Sequence, residues 1–143
     1  MKKYGLGKKD KLCSVRAIEQ LFGAGGAEFS TLAYPLRALA RTDNMRSSDA
    51  AIAFFISVPK KRLRHAVDRV AMRRRVREAY RLNRCNYPLP EGVRLDVAFV
   101  YVADRLKSYR SVERAMTRIL GALAAHYAAE NPASPSPDNE ISQ

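Results

Sequence analysis

The 143-residue chain is poor in the groups that carry out chemistry on their own. It has two histidines and two cysteines. Cys13 and Cys85 stand far apart with no metal-ligand or redox spacing, which argues against a zinc site, a disulfide framework or a thiol-redox centre. His65 and His126 fall in separate parts of the chain, one in a basic stretch and one near the end of the last predicted helix. A surface histidine and a helix-end histidine describe them better than a general acid and base. Acidic residues are scarce, 14 against 26 Lys and Arg. No paired carboxylates suggest a metal site, since Asp96 and Asp104 are expected to flank a strand at a distance, capping or solubilising it. No apolar run approaches the roughly 20 residues needed to span a bilayer. After Met1, Lys2 and Lys3 comes a polar, glycine-punctuated stretch instead of the apolar core of an export signal, so a cytoplasmic protein with reduced thiols is expected.

What is abundant is positive charge in one place. The chain has a formal net charge of +12. Residues 58–84, VPKKRLRHAVDRVAMRRRVREAYRLNR, hold eleven Lys or Arg against Asp68 and Glu78, a net +9. Such a patch calls for a polyanionic partner, and regularly spaced phosphates give the largest gain through counterion release. With 47% hydrophobic residues the chain can still bury a core.

The organisation reads as one domain over residues 11–129, with a flexible basic arm at 1–10 and a disordered, proline-containing tail at 130–143. Ser14 is placed to cap a first helix in which Ile18, Leu21 and Phe22 share a face, and Gly23, Gly25 and Gly26 end it. Residues 29–41 alternate around Pro35 and predict two short strands or one bent strand. Residues 43–49 read as a polar turn. The apolar run 50–58 predicts a central strand in which Phe54 and Phe55 point to opposite faces. A basic loop at 60–65 leads to a helix over 66–84, followed by a strand over 93–102 and a helix over 108–129. The order α-β-β-β-α-β-α predicts an α+β two-layer sandwich of helices on one sheet.

Within the basic helix, a rotation of about 100° per residue puts Met72, Val76, Ala79, Tyr80 and Asn83 on the inward face. Arg69, Arg73, Arg77, Arg81 and Arg84 form an adjoining stripe with Arg74 beside it, and only Glu78 is available to quench it. A solvated charged face is the plain alternative. The use of Arg, whose planar fork pairs phosphates and stacks on bases, favours nucleic acid. A membrane surface fits less well, because the face beside the stripe is small and mixed where an interfacial helix has a broad Leu, Phe or Trp face. Phe22, Phe29 and Tyr34 are either stacking platforms for single-stranded nucleic acid or core residues.

These residues resemble the bacterial ribonuclease P protein family. Ile56-Ser57-Val58-Pro59-Lys60-Lys61 is similar to the family's strand ending in Ser-Val-Ser-Lys-Lys. Ala66-Val67-Asp68-Arg69, then Arg73-Arg74 and Arg77-Glu78-Ala79-Tyr80-Arg81, are similar to its basic helix. Lys11-Leu12, Ile18, Leu21-Phe22, Gly25 and Tyr34-Pro35-Leu36-Arg37 extend the similarity over most of residues 8–128. The family's Arg-Asn-Arg is Arg69-Val70-Ala71 here, the loop at 62–65 is a residue longer and lacks the glycine, and Ile18 stands where Phe is common.

The resemblance implies the ribonuclease P protein and ribosomal-protein domain 2-like fold. It implies a cytoplasmic accessory subunit of an endoribonuclease that removes the 5′ leader of precursor tRNA, with Mg2+ held mainly by a catalytic RNA subunit and no protein-only active site. The expected partners are ribonuclease P RNA and the precursor tRNA 5′ leader, with no membrane and no protein partner required. By position, Lys60, Lys61, Arg69, Arg73, Arg74, Arg77 and Arg81 are expected to bind the RNA subunit. Phe22, Tyr34, Arg37, Ser57 and Val58 are expected in a cleft for the leader. The alternative is a structural RNA-binding protein of ribosomal type.

Overall fold

The structure, a computed structural model, describes residues 15–23, 26–42 and 51–129. Three helices, α1 (Val15–Phe22), α2 (Ala66–Asn83) and α3 (Tyr109–Ala129), pack with four strands, β1 (Phe29–Ala33), β2 (Leu36–Thr42), β3 (Ile52–Ser57) and β4 (Leu95–Tyr101). The sheet order is β1-β2-β4-β3. The neighbouring strands β1 and β2 and the pair β2 and β4 are antiparallel, while β3 and β4 run parallel, joined through α2. The parallel pair follows from the helix between the two strands, because a crossover connection is what parallel strands need. The expected arm, Ser14 cap, 43–49 turn and tail lie outside the described residues.

β4 is central and its sequence LDVAFVY is buried along nearly its whole length. A strand covered on both faces needs apolar residues at consecutive positions, which this one has except at Asp96. Asp96 is only 3% exposed. The expectation that it flanks the strand and solubilises it is therefore corrected: it lies within β4, buried, on the face that carries Ala98.

One face of the sheet carries the main core. Leu36, Ala38, Ala40, Phe54, Val97, Phe99 and Tyr101 meet Met72, Val76, Ala79 and Tyr80 of α2 and Val112, Met116, Ile119, Leu120 and Leu123 of α3. Phe54, Tyr80 and Phe99 form an aromatic triangle with ring centroids 4.6 to 6.2 Å apart. Such pairs add roughly 0.5–1.5 kcal/mol each beyond their buried area. The inward stripes expected on α2 and α3 are the ones that pack here, and Tyr127 extends that of α3.

α1 packs on the opposite face, with Leu21 buried against Ala53 and Ala98 and with Ile18, Leu39 and Phe55 around them. The two-layer sandwich of α2 and α3 on the sheet thus gains a short third cover over part of its outer face. Gly26 holds that cover close. A side chain there would place its Cβ 1.6 Å from the carbonyl oxygen of Gln20, so only glycine lets the chain leave α1 and turn back into β1. Arg41 Nη1 then donates to the Gly26 carbonyl at 3.1 Å and ties the turn to β2.

The helix ends are set locally. His65 occupies the N-cap of α2 with extended backbone and no side-chain cap bond, and Asp68 sits in the first turn, where an acid suits the helix dipole. Ser108 caps α3 by accepting the Ser111 amide on its hydroxyl at 3.2 Å. Tyr101 donates its hydroxyl to the Arg105 carbonyl and accepts the Lys107 amide at 3.2 Å, which folds the turn between β4 and α3.

Candidate RNA interface

Of the seven Lys and Arg expected to bind an RNA subunit, five are exposed: Lys60, Lys61, Arg73, Arg74 and Arg77. The last three, on α2, have no carboxylate partner among the described residues. The row expected from the helical spacing does not stay whole. Arg69 is half-buried and its Nη1 donates to the carbonyls of Leu63 and Arg64, both at 2.9 Å. Arg81 pairs with Glu78 at 2.6 Å. Arg84 lies over the Tyr80 ring at 5.9 Å, and Arg75 donates to the Lys107 carbonyl. The physical reason is proximity. At those positions a carboxylate, a ring or an unpaired loop carbonyl lies within reach, and a guanidinium takes the local partner.

The Arg69 bonds shape the basic loop. Arg62 and Leu63 donate their amides to the Pro59 carbonyl at 2.9 and 3.3 Å, making a turn, and Leu63 drops its side chain into the core. With the carbonyls of residues 63 and 64 held by Arg69, Lys60 and Lys61 are carried outward on a loop fixed at its C-terminal end. The charge of Glu78 is held as well, its pKa lowered first by the hydrogen bond from Arg81. Of the two positions that depart from the family's Arg-Asn-Arg, Val70 is 40% exposed and Ala71 half-buried, so the Val70 methyl groups stand one turn from Arg74 on the outer side of α2.

A polar seam fixes α2 against α3. Asn83 Nδ2 donates to the Ala79 carbonyl at 2.8 Å and to Glu113 Oε2 at 3.1 Å, and Tyr109 donates its hydroxyl to the same oxygen at 3.2 Å. Desolvation first, then the charge and hydrogen bond of Glu113, push the Tyr109 phenol up to about 12. The expected inward position of Asn83 is thus a half-buried polar anchor and not an apolar contact.

The second surface is the sheet face that α1 leaves uncovered. Strand register sets Leu32 beside Arg37, Arg37 beside Val100 and Val100 beside Ser57, a row across all four strands. At roughly 4.8 Å between strands the row is about 14 Å wide. Phe55 stands in the next row, and Phe22 meets it edge-on with centroids 6.5 Å apart while remaining 47% exposed. The row ends at β3, whose next residues lead through Pro59 into Lys60 and Lys61. An apolar, aromatic and single-cation face opening onto a basic loop can hold a single strand by stacking with its phosphates drawn to the rim.

The structure brings Phe22, Arg37 and Ser57 to this face and leaves out two of the five residues expected there. Val58 is 6% exposed and packs in the main core, because alternation turns it away from Ser57. Tyr34 sits in the β1–β2 turn, 58% exposed, with Lys107 Nζ 5.3 Å from its ring centroid. Phe29 is half-buried at the edge of the main core, stacked on His126 at 4.2 Å. Leu32, Phe55 and Val100 were not singled out as cleft residues, although alternation had offered one of Phe54 and Phe55. Leu32 and Val100 reach the face only through pairing between strands distant in sequence. His65 is exposed at the start of α2 and His126 lies near the end of α3 against β1. Among the described residues no three His, Cys, Asp or Glu side chains gather where a metal ion could be held, and no helix is long and apolar enough to cross a membrane.

Comparison with known proteins bears on the family and the fold. The family model described as Ribonuclease P matches residues 6–124. The ribonuclease P protein components of two Porphyromonas gingivalis strains are each 39% identical to the chain, over 126 and 129 residues, covering 86% of it and 89% of their own length. The fold is similar to the solved RNase P proteins of Staphylococcus aureus and Thermotoga maritima. The first has a TM-score of 0.63 at 12% identity, covering 80% of this chain and 94% of that one. The second has 0.60 at 19% identity, covering 78% and 96%.

Proposed function

The chain belongs to the ribonuclease P protein family and so serves as the protein subunit of an endoribonuclease that matures tRNA, and from that premise we propose how its two surfaces divide the work. α2 and the loop at 60–65 bind the ribonuclease P RNA. The row Leu32, Arg37, Val100 and Ser57, with Phe22 and Phe55 beside it, takes the single-stranded 5′ leader of precursor tRNA. The observation that carries the division is the pair of surfaces itself: Arg73, Arg74 and Arg77 exposed without acidic partners among the described residues on one side of the sheet, and an aromatic face that α1 leaves uncovered on the other.

The chemistry follows from the same inventory. Cleavage of the phosphodiester would fall to the RNA subunit with Mg2+ held mainly by it, while this chain supplies charge and position. The protein contributes by neutralising backbone charge on α2, which lowers the repulsion of bringing RNA subunit and substrate together. It contributes further by fixing the leader at a set distance from that helix. This work is placed in the cytoplasm, where tRNA precursors are made.

Cleavage of a 5′-labelled precursor tRNA by a bacterial ribonuclease P RNA at low Mg2+, with and without the protein, tests the reading. Strong stimulation by the protein, and no cleavage by the protein alone, is expected. Binding without stimulation would point instead to a structural RNA-binding protein of ribosomal type.

A further inference from the structure

Tyr34 and the basic residues of α3 enclose a site that neither RNA surface uses. The β1–β2 turn and α3 form a pocket of about 250 Å3 lined by Tyr34, Pro35, Lys107, Ser111, Arg114, Ala115 and Arg118. Three of the lining side chains are cations and none is a carboxylate. The volume lies somewhat below the roughly 300–1,000 Å3 of sites for drug-sized ligands, which suits a nucleotide unit of a strand better than a folded partner.

We propose that this pocket is a third RNA-binding site, in which Lys107, Arg114 and Arg118 hold phosphodiester groups and the Tyr34 ring stacks on an adjoining base. The inference rests on the reading of the chain as a ribonuclease P subunit and adds a contact to it. Arg114 and Arg118 are exposed, one turn apart on α3, and like charges at that spacing repel each other in the free protein. Neither has an acidic partner among the described residues. The single acid of α3, Glu113, is turned the other way, to Asn83 of α2 and Tyr109. Asp104, exposed on the turn before α3, is outside the lining.

The remaining features fit a nucleotide. Lys107 is held over the Tyr34 ring, so one cation and one exposed aromatic face are already placed side by side. A ring with a free face accepts any base, and a cation at its edge takes the phosphate, which is the arrangement by which single strands are held without sequence preference. Ser111 adds a hydroxyl at the pocket wall. At about 100° per residue, Ser111, Arg114 and Arg118 face away from the α2 seam. An RNA segment in the pocket is therefore distinct from the one on α2, with the body of α3 between them.

The test uses the double variant Arg114→Gln and Arg118→Gln in the full chain, with Tyr34→Ala as a second variant and Arg73→Gln with Arg77→Gln as the α2 comparison. Unchanged melting temperatures establish that the exposed substitutions leave the fold alone. Affinity is measured against salt in two arms, for ribonuclease P RNA alone and for precursor tRNA on the assembled particle. Loss of two phosphate contacts should lower the log–log slope by about 1.4–1.8, roughly a tenfold smaller loss of affinity between about 50 and 200 mM salt. Tyr34→Ala should weaken the same arm with its slope unchanged. A lowered slope in the first arm gives the phosphates to the RNA subunit, and in the second arm alone to the precursor tRNA. Slopes unchanged in both arms overturn the pocket. If the α2 variant still lowers its own slope, the broader reading stands without it, and if that variant too is inert, both fall together.

Discussion

An alanine at Gly26 should separate the two RNA surfaces. Its Cβ would lie 1.6 Å from the Gln20 carbonyl oxygen and 2.8 Å from the carbonyl carbon, where real Cβ contacts do not fall below 3.0 Å. The last turn of α1 and the start of the β1 hairpin must therefore part by at least 1.4 Å. Backbone is the obstacle, so no rotamer change relieves it. Overpacking of this kind costs about 1–3 kcal/mol, or a fall in Tm of roughly 3–5 °C per kcal/mol for a domain of this size. Phe22 lies two residues past Gln20 and would move with it, away from Phe55. Since a base stacked on an aromatic ring is worth about 1–3 kcal/mol, the leader's contribution to affinity should fall by about 5- to 150-fold. The assay compares precursor tRNAs with a long leader and with none, bound to particles assembled with either protein. α2 packs on the other face, so affinity for the RNA subunit alone should be unchanged. A variant with normal Tm and a full leader contribution would refute the account of how α1 is seated. Equal losses for leader and RNA subunit would refute the division of the two surfaces.

Three further outcomes follow from the site geometry. Replacing Arg73, Arg74 and Arg77 with Gln should lower the salt slope of RNA-subunit binding by about 2–3, measured by filter binding across a salt series, and an unchanged slope would remove α2 from the interface. Arg69→Gln should weaken that binding with the slope unchanged and speed amide exchange across residues 60–65, because Arg69 acts through the loop; a slope lower by about one would mean that it touches a phosphate itself. For Tyr109 the folded pKa is raised, so its contribution is fully present below the ordinary tyrosine value near 10 and is lost as pH rises from there through about 12. Tyr109→Phe should flatten that part of the stability curve in denaturant titrations from pH 9 to 12, and an unchanged curve would show that the phenol does not carry it.

Much of the fold was legible because its signals are local. The α2 stripe of Met72, Val76, Ala79 and Tyr80 repeats at helical spacing over about two and a half turns, and no strand could bury that set on one face. The run at 52–57 is too short and too β-branched and aromatic for a buried helix. The position of α1 was not legible, since its small apolar face of Ile18 and Leu21 fits either side of a sheet. What decides it is that α2 and α3 fill one side, leaving Ala53 and Ala98 on the other as a shallow seat. Asp96 escaped for a related reason. An acid inside an apolar run reads as a strand end until its neighbours across the sheet are known.

The candidate site shows where one-dimensional reasoning stops. A family motif carries residues over as a block, so Ser57 and Val58 travelled together, yet in a strand neighbouring residues face opposite ways and only one of the two can line a surface. Tyr34 and Arg37 were paired for the same reason, and the turn between β1 and β2 sends them apart, Arg37 to the outer face of the sheet and Tyr34 to α3. Leu32, Arg37, Val100 and Ser57 become one row only through the registers Leu32 with Arg37, Arg37 with Val100, and Ser57 with Val100. The arginines of α2 make the converse point. Helical spacing placed them, but which remain available for RNA depended on partners elsewhere: Glu78 for Arg81, the Lys107 carbonyl for Arg75, and the loop carbonyls for Arg69. Charge density in the sequence thus identifies the class of partner, and the subset that meets it is what the fold leaves unspent.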